Sequence, residues 1–267
     1  MTKIKNKTVL ITGAASGIGR QLALMMLERK ATVVAWDVDA ERLDNLKQDS
    51  GSDKLFTYQV DLTDRDSIYD TAEKVKAEAG LVDVLINNAG IVSGKPFLEC
   101  TDEQIEATMQ VNIMAHFWTV RAFLPDMLER NSGHIVTVSS AGGLIGTNKM
   151  ADYSASKFAA VGFDESLRAE LKQRKSKVRT TIVCPYYFDS GMFAGVKSRF
   201  PFLLPILKTN QVAKRIVMAV RHNHPRVWFL FMTYTISPLR IFPVAWFDAI
   251  ANFFGVNAAM DEFKGRE

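Results

Sequence analysis

An α/β fold built on one doubly wound parallel sheet, with helices on both faces, is predicted by three observations. Short runs rich in β-branched and apolar residues alternate with longer segments of helical period. A glycine-rich turn from Thr12 to Gly19 follows the first of these runs. The 267 residues are 48% hydrophobic and 23% charged, which suits one buried core and excludes disordered and collagen-like chains. We therefore expect residues 1–267 to form a single domain.

The alternation predicts a series of strands and helices in order along the chain. Strands are expected over residues 8–11, 32–36, 55–59, 84–86, 134–138, 178–183 and 227–231. The clearest helices are expected over residues 18–29, 40–48, 65–79, 102–129 and 153–173, the last with an apolar stripe through Phe158, Val161, Phe163 and Leu167. After Pro185 the alternation ends because prolines interrupt the chain, so residues 222–267 are expected to form an apolar, basic extension.

Charge and cysteine content exclude several classes of protein. The net charge is +4, and residues 190–247 hold eight basic residues and no acidic one. No nucleic-acid-binding motif accompanies this asymmetry, so we expect no nucleic-acid partner.

Cys100 and Cys184, the two cysteines, provide neither a disulfide framework nor the spacing of a metal site. The first strand begins at Thr8, which leaves no room for an N-terminal signal peptide, and a cytoplasmic protein is expected.

The turn from Thr12 to Gly19 has the composition of a dinucleotide-binding loop. Its glycines permit a tight turn, a close approach of the backbone to a pyrophosphate and close packing of the next helix on the strand. A phosphate would then meet the N-terminus of that helix, where free N–H groups favour negative charge. The spacing differs from the commonest fingerprint, and a purely structural glycine turn is the alternative.

Two aspartates follow the next strands and favour NAD as the cofactor. Asp37 ends the second strand, where an acidic residue can accept hydrogen bonds from an adenosine ribose. Its charge repels a 2′-phosphate, and neither Ala14 nor Ala15 offers a cation to bind one, so NAD is favoured over NADP. Asp61, after the third strand, is expected at the adenine edge. For each aspartate, a helix cap is the alternative role.

Tyr153 and Lys157 are four residues apart and lie on one face of a predicted helix. A phenol is protonated at neutral pH, but a nearby ammonium and a cationic nicotinamide both favour the phenolate. Tyr153 could then accept an alcohol proton as hydride leaves the carbon, and return it in the reverse reaction. Simple amphipathic packing is the common alternative for such a pair.

Three further polar residues are candidates for the same chemistry. Ser139 and Ser140 follow the fifth strand at the carboxyl edge of the sheet, where a hydroxyl can hold a substrate oxygen. Turn or cap serines are the alternative. Asn112 lies within a predicted helix although asparagine is a poor helix former, so it either relays protons or bends the helix.

In combination, these motifs resemble the classical short-chain dehydrogenase/reductase (SDR) family over residues 8–192. The glycine turn, Asn87-Asn88-Ala89-Gly90, Asn112, and Ser140 thirteen residues before Tyr153 stand in the family order. The resemblance implies a Rossmann-like fold in which Ser140, chosen over Ser139 by spacing alone, polarises the substrate oxygen and Tyr153 is the acid/base. It implies that Lys157 lowers the tyrosine pKa and that Asn112 carries a water-linked proton relay.

The resemblance also implies two sets of binding residues and no metal ion. Contacts to NAD are expected from Thr12, Gly13, Ser16, Gly17, Ile18, Gly19, Asp37, Asp61, Leu62, Asn88, Ala89, Gly90, Val111, Tyr153, Lys157, Pro185 and Ser190. Contacts to the substrate are expected from Ser140, Tyr153, Tyr186, Phe188, Met192 and Phe193. Tyr186 replaces the glycine that commonly follows the proline, which predicts a shifted backbone beside the nicotinamide.

Within the family, the central run and the Met-Phe after Gly191 are similar to the retinol and 17β-hydroxysteroid dehydrogenases. Residues 186–210, where this fold usually places its substrate lid, are dense in aromatic and aliphatic side chains. They imply a lipophilic alcohol, or its aldehyde or ketone, as the substrate. The alternatives are a membrane-surface cofactor-binding interaction protein with little turnover, and an SDR acting on a small non-lipid carbonyl.

The uncharged run from Val227 to Leu239 predicts a contact surface. It is too short to span a bilayer and is interrupted by Pro238. With nearby arginines and aromatic residues it fits peripheral contact with an anionic membrane. It fits the subunit interface of a homodimer or homotetramer equally well.

Overall fold

The computed structural model describes residues 1–189 and 191–265, and it contains a seven-stranded, wholly parallel sheet. The strands are β1 (Thr8–Thr12), β2 (Thr32–Asp37), β3 (Leu55–Gln59), β4 (Val84–Asn87), β5 (His134–Val138), β6 (Arg179–Cys184) and β7 (Arg226–Trp228). Their spatial order is β3-β2-β1-β4-β5-β6-β7. The order reverses between β1 and β4, which creates a crevice at the carboxyl ends of these strands, where ligands bind in open parallel sheets.

Nine α-helices are present within the described residues. They are α1 (Gly17–Glu28), α2 (Ala40–Ser50), α3 (Arg65–Glu78), α4 (Asp102–Met109), α5 (Ala115–Glu129), α6 (Ala151–Gln173), α7 (Thr209–His222), α8 (Phe231–Leu239) and α9 (Val244–Phe253). One buried cluster joins α1, α2 and α7 to one sheet face, and a second joins α3, α5 and α6 to the other. The predicted doubly wound α/β fold is therefore confirmed.

Two predicted elements differ from the structure. The helix expected over residues 102–129 is divided by a π-helical turn, Gln110–Met114, which inserts an extra residue and turns Asn112 towards α6. The last strand ends at Trp228, and Phe231 begins α8 instead of ending the strand. No helix in the described ranges is long and apolar enough to cross a membrane.

The buried face of α6 is not the predicted apolar stripe. Phe158 is exposed, Val161 and Phe163 are half-buried, and only Leu167 of that stripe is buried. The helix instead buries polar residues, Tyr153 and Lys157 among them, against the carboxyl edge of the sheet. Tyr153 and Lys157 on this inner face line the crevice at the sheet edge, so apolar content alone did not identify the inner face.

Candidate active site

The glycine turn lies between the end of β1 and the N-terminus of α1. Gly13 has a φ of +64°, a conformation that favours glycine, and a Cβ on Gly19 would lie 2.0 Å from the Gly13 carbonyl oxygen. The Ala15 N–H donates to Oδ2 of Asp37 at 2.9 Å, which ties the turn to the end of β2. The turn therefore leaves the first residues of α1, including Gly17 and Ile18, facing the crevice.

The two aspartates at the crevice are not helix caps. Asp39 caps α2 by accepting the Arg42 N–H, and Asp64 caps α3. Asp37 and Asp61 instead line the crevice, beside the ends of β2 and β3. Asp61 is held by the backbone N–H and the hydroxyl of Thr63, at 2.8 and 2.7 Å.

The end of β4 is fastened to the end of β1. The Thr12 hydroxyl oxygen accepts the N–H groups of Asn88 and Ala89, at 3.0 and 3.1 Å. The Asn88 side-chain amide donates to the carbonyls of Thr12 and Gly13. This bonding places the backbone of Ala89 and Gly90 along the floor of the crevice.

Tyr153, Ser140 and Lys157 meet at the carboxyl ends of β5 and β6. The Ser140 side chain lies beside the Tyr153 ring, and its hydroxyl oxygen accepts the Gly142 N–H at 3.0 Å. Lys157 Nζ donates to the Val138 carbonyl at 3.1 Å and lies 5.6 Å from the centroid of the Tyr153 ring. Spacing alone favoured Ser140 over its neighbour, and the contact with Tyr153 favours it too.

The neighbouring Ser139 has a different environment. It is buried, and its hydroxyl donates to the carbonyl oxygen of Lys157 at 2.8 Å. This bond fixes the end of β5 to α6. Ser139 therefore fixes the α6 backbone at Lys157, whereas Ser140 faces the apolar cavity.

In the protein without its cofactor, burial has the largest effect on the pKa of Tyr153 and on that of Lys157. Burial raises the pKa of Tyr153 to about 12, and the nearby Ser140 hydroxyl acts in the opposite direction. Burial lowers the pKa of Lys157 to about 8. Desolvation of the phenolate dominates in the protein without its cofactor, and the lowering of the Tyr153 pKa by Lys157 and a cationic nicotinamide stays a prediction.

Asn112 is fully buried at the π-helical turn, and both ends of its amide are bonded. Oδ1 accepts the Ile91 N–H at 2.8 Å, and Nδ2 donates to the Ile91 carbonyl and to Oγ of Ser156, at 2.9 and 3.0 Å. These bonds join the loop after β4 to α6. Asn112 accordingly coincides with the break in the predicted helix, one of the two roles suggested for it.

Two cavities adjoin this cluster. The polar one follows the crevice, has a volume of about 1020 Å³ including its open part, and is lined by the glycine turn, both aspartates, Tyr153 and Lys157. A helix N-terminus at one place and carboxylates at another fit the phosphates and ribose of a dinucleotide. The residues present thus fit a nicotinamide cofactor.

The second cavity is apolar and has a volume of about 840 Å³ including its open part. Ser140 lies at its inner end. Half of the wall comes from the C-terminal segment, through Met232, Thr233, Thr235, Ile236, Leu239, Phe247, Ile250, Ala251, Phe254 and Val256. None of these residues was predicted to contact substrate. The apolar composition of this segment was the available signal, but it predicted an outer contact surface.

A family model described as short chain dehydrogenase matches residues 7–199 of the chain. The chain belongs to the short-chain dehydrogenase/reductase family. The SDR is therefore an oxidoreductase of a family that binds NAD(P), as its motifs predicted.

Named relatives place the SDR near retinol dehydrogenases. It is 47% identical over 224 residues to short-chain dehydrogenase/reductase family 16C member 6 of Bos taurus, covering 81% of this chain and 70% of the relative. It is 41% identical over 265 residues to epidermal retinol dehydrogenase 2 of Homo sapiens, covering 97% and 86%. The predicted resemblance to the retinol dehydrogenase subgroup is confirmed.

Solved structures of similar fold include complexes with either dinucleotide. An SDR from Burkholderia phymatum in complex with NAD has a TM-score of 0.78 and 25% identity, with 85% of this chain and 90% of that chain covered. A metagenomic short-chain oxidoreductase in complex with NADP has a TM-score of 0.68 and 26% identity, with 82% and 92% covered. The choice between the two cofactors therefore depends on the SDR's own residues.

Most, but not all, of the predicted cofactor residues of the SDR line the polar cavity. Thr12, Gly19 and Pro185 do not: the first two hold the loop together, and the Pro185 carbonyl accepts the Ala141 N–H at 2.7 Å. Ser190 lies outside the described residues. The remaining members line the cavity, namely Gly13, Ser16, Gly17, Ile18, Asp37, Asp61, Leu62, Asn88, Ala89, Gly90, Val111, Tyr153 and Lys157.

The predicted substrate residues of the SDR divide between the cavities. Ser140, Tyr186 and Phe193 line the apolar cavity. Phe188 and Met192 line the polar cavity instead. Both pack in a cluster with Tyr153 and Phe193, so they stand at the boundary of the two cavities. Contact of Phe188 and Met192 with the substrate therefore stays a prediction.

Proposed function

We propose that this SDR uses NAD to oxidise a lipophilic alcohol, retinol-like or hydroxysteroid-like, to its aldehyde or ketone, or catalyses the reverse reduction. One observation carries the proposal: the two cavities meet at two adjacent side chains. Ser140 lines the apolar cavity, and its neighbour Tyr153 lines the polar one. An alcohol carbon held at this junction lies between apolar walls and the cofactor. The names of the retinol dehydrogenase relatives support the substrate class.

The nicotinamide ring of the bound cofactor supplies the acceptor or donor of hydride. Tyr153 would take the alcohol proton at its phenolic oxygen during oxidation and return it during reduction. Ser140 would donate a hydrogen bond to the substrate oxygen, and the Lys157 ammonium would favour the phenolate. Asn112 would hold the loop after β4 and contribute to the proton relay.

NAD is proposed over NADP because of the charge at the end of β2. The carboxylate of Asp37 lines the polar cavity and would accept ribose hydroxyls. A 2′-phosphate at that place would meet this negative charge. Ala14 and Ala15 beside it offer no cation.

Specific observations disfavour two rival functions. A small polar carbonyl would leave most of the apolar cavity, about 840 Å³, without contacts. An interaction protein without turnover would have no need for a buried tyrosine, lysine and serine aligned between two cavities. The enzyme with a lipophilic substrate therefore remains the better-supported function.

The decisive experiment is a panel of retinoids, hydroxysteroids and short-chain alcohols assayed with the wild type and with Tyr153→Phe. We expect turnover of a bulky apolar alcohol that falls by about a thousandfold or more in the variant, since general acid/base catalysis contributes about 10²–10⁴-fold. Tyr58→Phe, which removes a phenolic hydroxyl bonded to Glu78 outside both cavities, serves as the control. Turnover that is undetectable with every compound, or equal in Tyr153→Phe, contradicts the proposal.

We also propose that residues 186–210 form the lid over the substrate.

A separate proposal is that the outer side of the C-terminal segment contacts an anionic membrane. Phe231, Ile241, Phe242, Val244, Trp246 and Phe253, here called the outer apolar surface, are exposed on α8, α9 and the loop between them. Arg240 and Arg199 lie beside aromatic rings of this region. Apolar and aromatic side chains with arginines at their edge suit an anionic lipid interface.

A further inference from the structure

A set of buried polar side chains lies on the sheet face beneath Lys157, outside the groups assigned to the reaction. Asn87 ends β4, and Thr137 is its neighbour on β5. Side chains alternate between the faces of a strand, so both lie on the same face as Leu85 and Ile135. That face is covered by α3, α5 and α6. Two polar side chains thus occupy an otherwise apolar layer.

Helix α5 brings two more polar side chains to the same place. The Thr119 hydroxyl donates to Oδ1 of Asn87 at 2.8 Å, which fixes this face of α5 over the end of β4. His116, three residues earlier on the same helix face, is 1% exposed. Burial and then the positive charge of Lys157 lower the pKa of His116 to about 3, so the imidazole is neutral at physiological pH and within electrostatic reach of the ammonium.

Four buried polar atoms in this set lack a hydrogen-bond partner within the described residues. They are Nδ1 and Nε2 of His116, Nδ2 of Asn87 and Oγ1 of Thr137. An unpaired buried polar atom costs about 1–3 kcal/mol, and native proteins normally satisfy such atoms. Buried water is the usual partner where protein groups are too far apart, and it typically bonds to about three of them. Because His116 shares a helix face with Thr119, which contacts Asn87, we infer that ordered water satisfies these atoms in a shared internal pocket.

We propose that ordered water in this pocket links His116 to Lys157, and that the neutral imidazole thereby positions the Lys157 ammonium for proton transfer at Tyr153. A neutral imidazole has one acceptor and one donor nitrogen, whereas an ammonium has three donors. One donor of Lys157 is occupied by the Val138 carbonyl. The proposal rests on the proposed function, because Lys157 matters only for that reaction. His116 is a positioning residue, since it acts through Lys157.

Lys157 is the group nearest to this pocket whose charge changes in the neutral to alkaline range. Burial raises the pKa of Asp164 on α6 to about 7, but Asp164 lies two turns away from Lys157 and is bonded to Thr180. Ionisable side chains on the packed elements include Tyr153, Lys157 and Asp152 of α6, Cys184 of β6, and the Lys76–Asp126 ion pair between α3 and α5. Burial raises the pKa of Tyr153 and of Cys184 to about 12 each. Both therefore remain protonated while Lys157, with a pKa of about 8, loses its proton.

The test compares the pH profiles of kcat/KM for alcohol oxidation in the wild type, His116→Phe and His116→Gln. Phenylalanine fills the space but cannot accept a hydrogen bond, so the ammonium loses support and the Lys157 pKa falls. The alkaline limb of the profile should then move to lower pH by about one unit, with kcat reduced and KM unchanged. Glutamine retains a neutral donor and acceptor and should restore the profile.

His134→Gln is the matched control. His134 is also a buried histidine on the sheet, but its Nε2 is bonded to the Thr181 hydroxyl at 2.8 Å, at the opposite ends of the strands. We expect it to lower stability without moving the pH profile. An effect on stability alone in His116→Phe, with the alkaline limb unmoved, overturns the proposal.

A second readout needs neither cofactor nor turnover. Nitrogen-15 NMR of histidine-labelled protein should show His116 neutral from pH 6 to 9 and in one tautomer, and that tautomer should change in Lys157→Met. Identical His116 signals in both proteins overturn the proposal. If the wild type turns over no substrate, the proposed function fails instead, and the NMR comparison still decides whether His116 is linked to Lys157.

Discussion

At the scale of single residues, Asp37 combines a structural and an electrostatic role. Its carboxylate accepts the N–H groups of Ala15 and Asp39, at 2.9 and 3.2 Å, and so shapes the glycine turn. The same carboxylate is the charge that a 2′-phosphate would meet. A substitution that removes the charge but keeps an acceptor oxygen separates the two roles.

Asp37→Asn keeps an acceptor for one of the two N–H groups, so it should fold with somewhat lower stability and lose cofactor discrimination. We expect the ratio of kcat/KM for NADP to that for NAD to rise by about tenfold, since a hydrogen bond to a charged group is worth about 1.5–3 kcal/mol. Steady-state kinetics with both cofactors measures the ratio. Asp39→Asn, which retains a good helix cap outside the cavity, should leave the ratio unchanged. A wild-type preference for NADP would contradict the role given to Asp37.

Residue types and spacing predicted much of the candidate site, but not which predicted residues face a ligand. Register along the chain selected Ser140, which the structure finds beside Tyr153. Thr12 and Gly19 belong to the glycine turn, yet their contacts stabilise the loop and they do not line the polar cavity. Whether a motif residue contacts the ligand or its neighbours depends on backbone direction, which a one-dimensional pattern does not contain.

At the scale of secondary structure, the strands and most helices follow from periodicity, and the exceptions have physical causes. The π-helical turn at Asn112 arises from tertiary hydrogen bonds to Ile91 and Ser156. Helix α8 has apolar residues on both sides, Ile236 on the cavity and Phe231 on the exterior, so no amphipathic period marks it. Its function as a cavity wall was therefore hidden in the sequence.

The position of α8 predicts that its inner side selects substrates by size. Ile236→Trp should fill part of the apolar cavity and lower kcat/KM for a bulky lipophilic alcohol by about tenfold or more, because overpacking costs about 1–3 kcal/mol. A short-chain alcohol should be affected less. Competing-substrate assays give the ratio directly.

Phe231→Trp is the matched control for this prediction, since it enlarges a side chain on the exposed side of the same helix. The ratio of kcat/KM for bulky and short-chain alcohols in Phe231→Trp should equal that of the wild type. Equal losses with bulky and short alcohols in Ile236→Trp would indicate general disruption of the helix and would contradict a selective role for the wall.

At the scale of the whole molecule, the outer apolar surface and the basic residues of 190–247 predict binding to anionic lipid. The wild type should float with vesicles of phosphatidylserine and phosphatidylcholine, and high salt should weaken binding because it screens the charges. Replacing Phe242 and Trp246 by serine should reduce the fraction of protein bound to vesicles severalfold, because two aromatic side chains no longer bury apolar area in the lipid interface. Flotation through a density gradient measures the fraction.

Leu81→Ser combined with Met218→Ser is the control, because both residues are exposed apolar side chains outside the C-terminal segment. This variant should float like the wild type. Equal flotation of both double variants contradicts the membrane surface. If the Phe242 and Trp246 variant instead changes the oligomeric state in solution, the surface is a subunit interface.

The division of the site between two parts of the chain has a consequence for divergence. The polar cavity is lined by residues between Gly13 and Lys157 together with Phe188 and Met192, whereas half of the apolar cavity wall is built by residues 232–256. Mutations in residues 232–256 can accumulate without changing Ser140, Tyr153 or Lys157. Descendants of one ancestral gene could thus acquire new substrates by rewriting a short stretch of coding sequence, while the inherited chemistry stays intact.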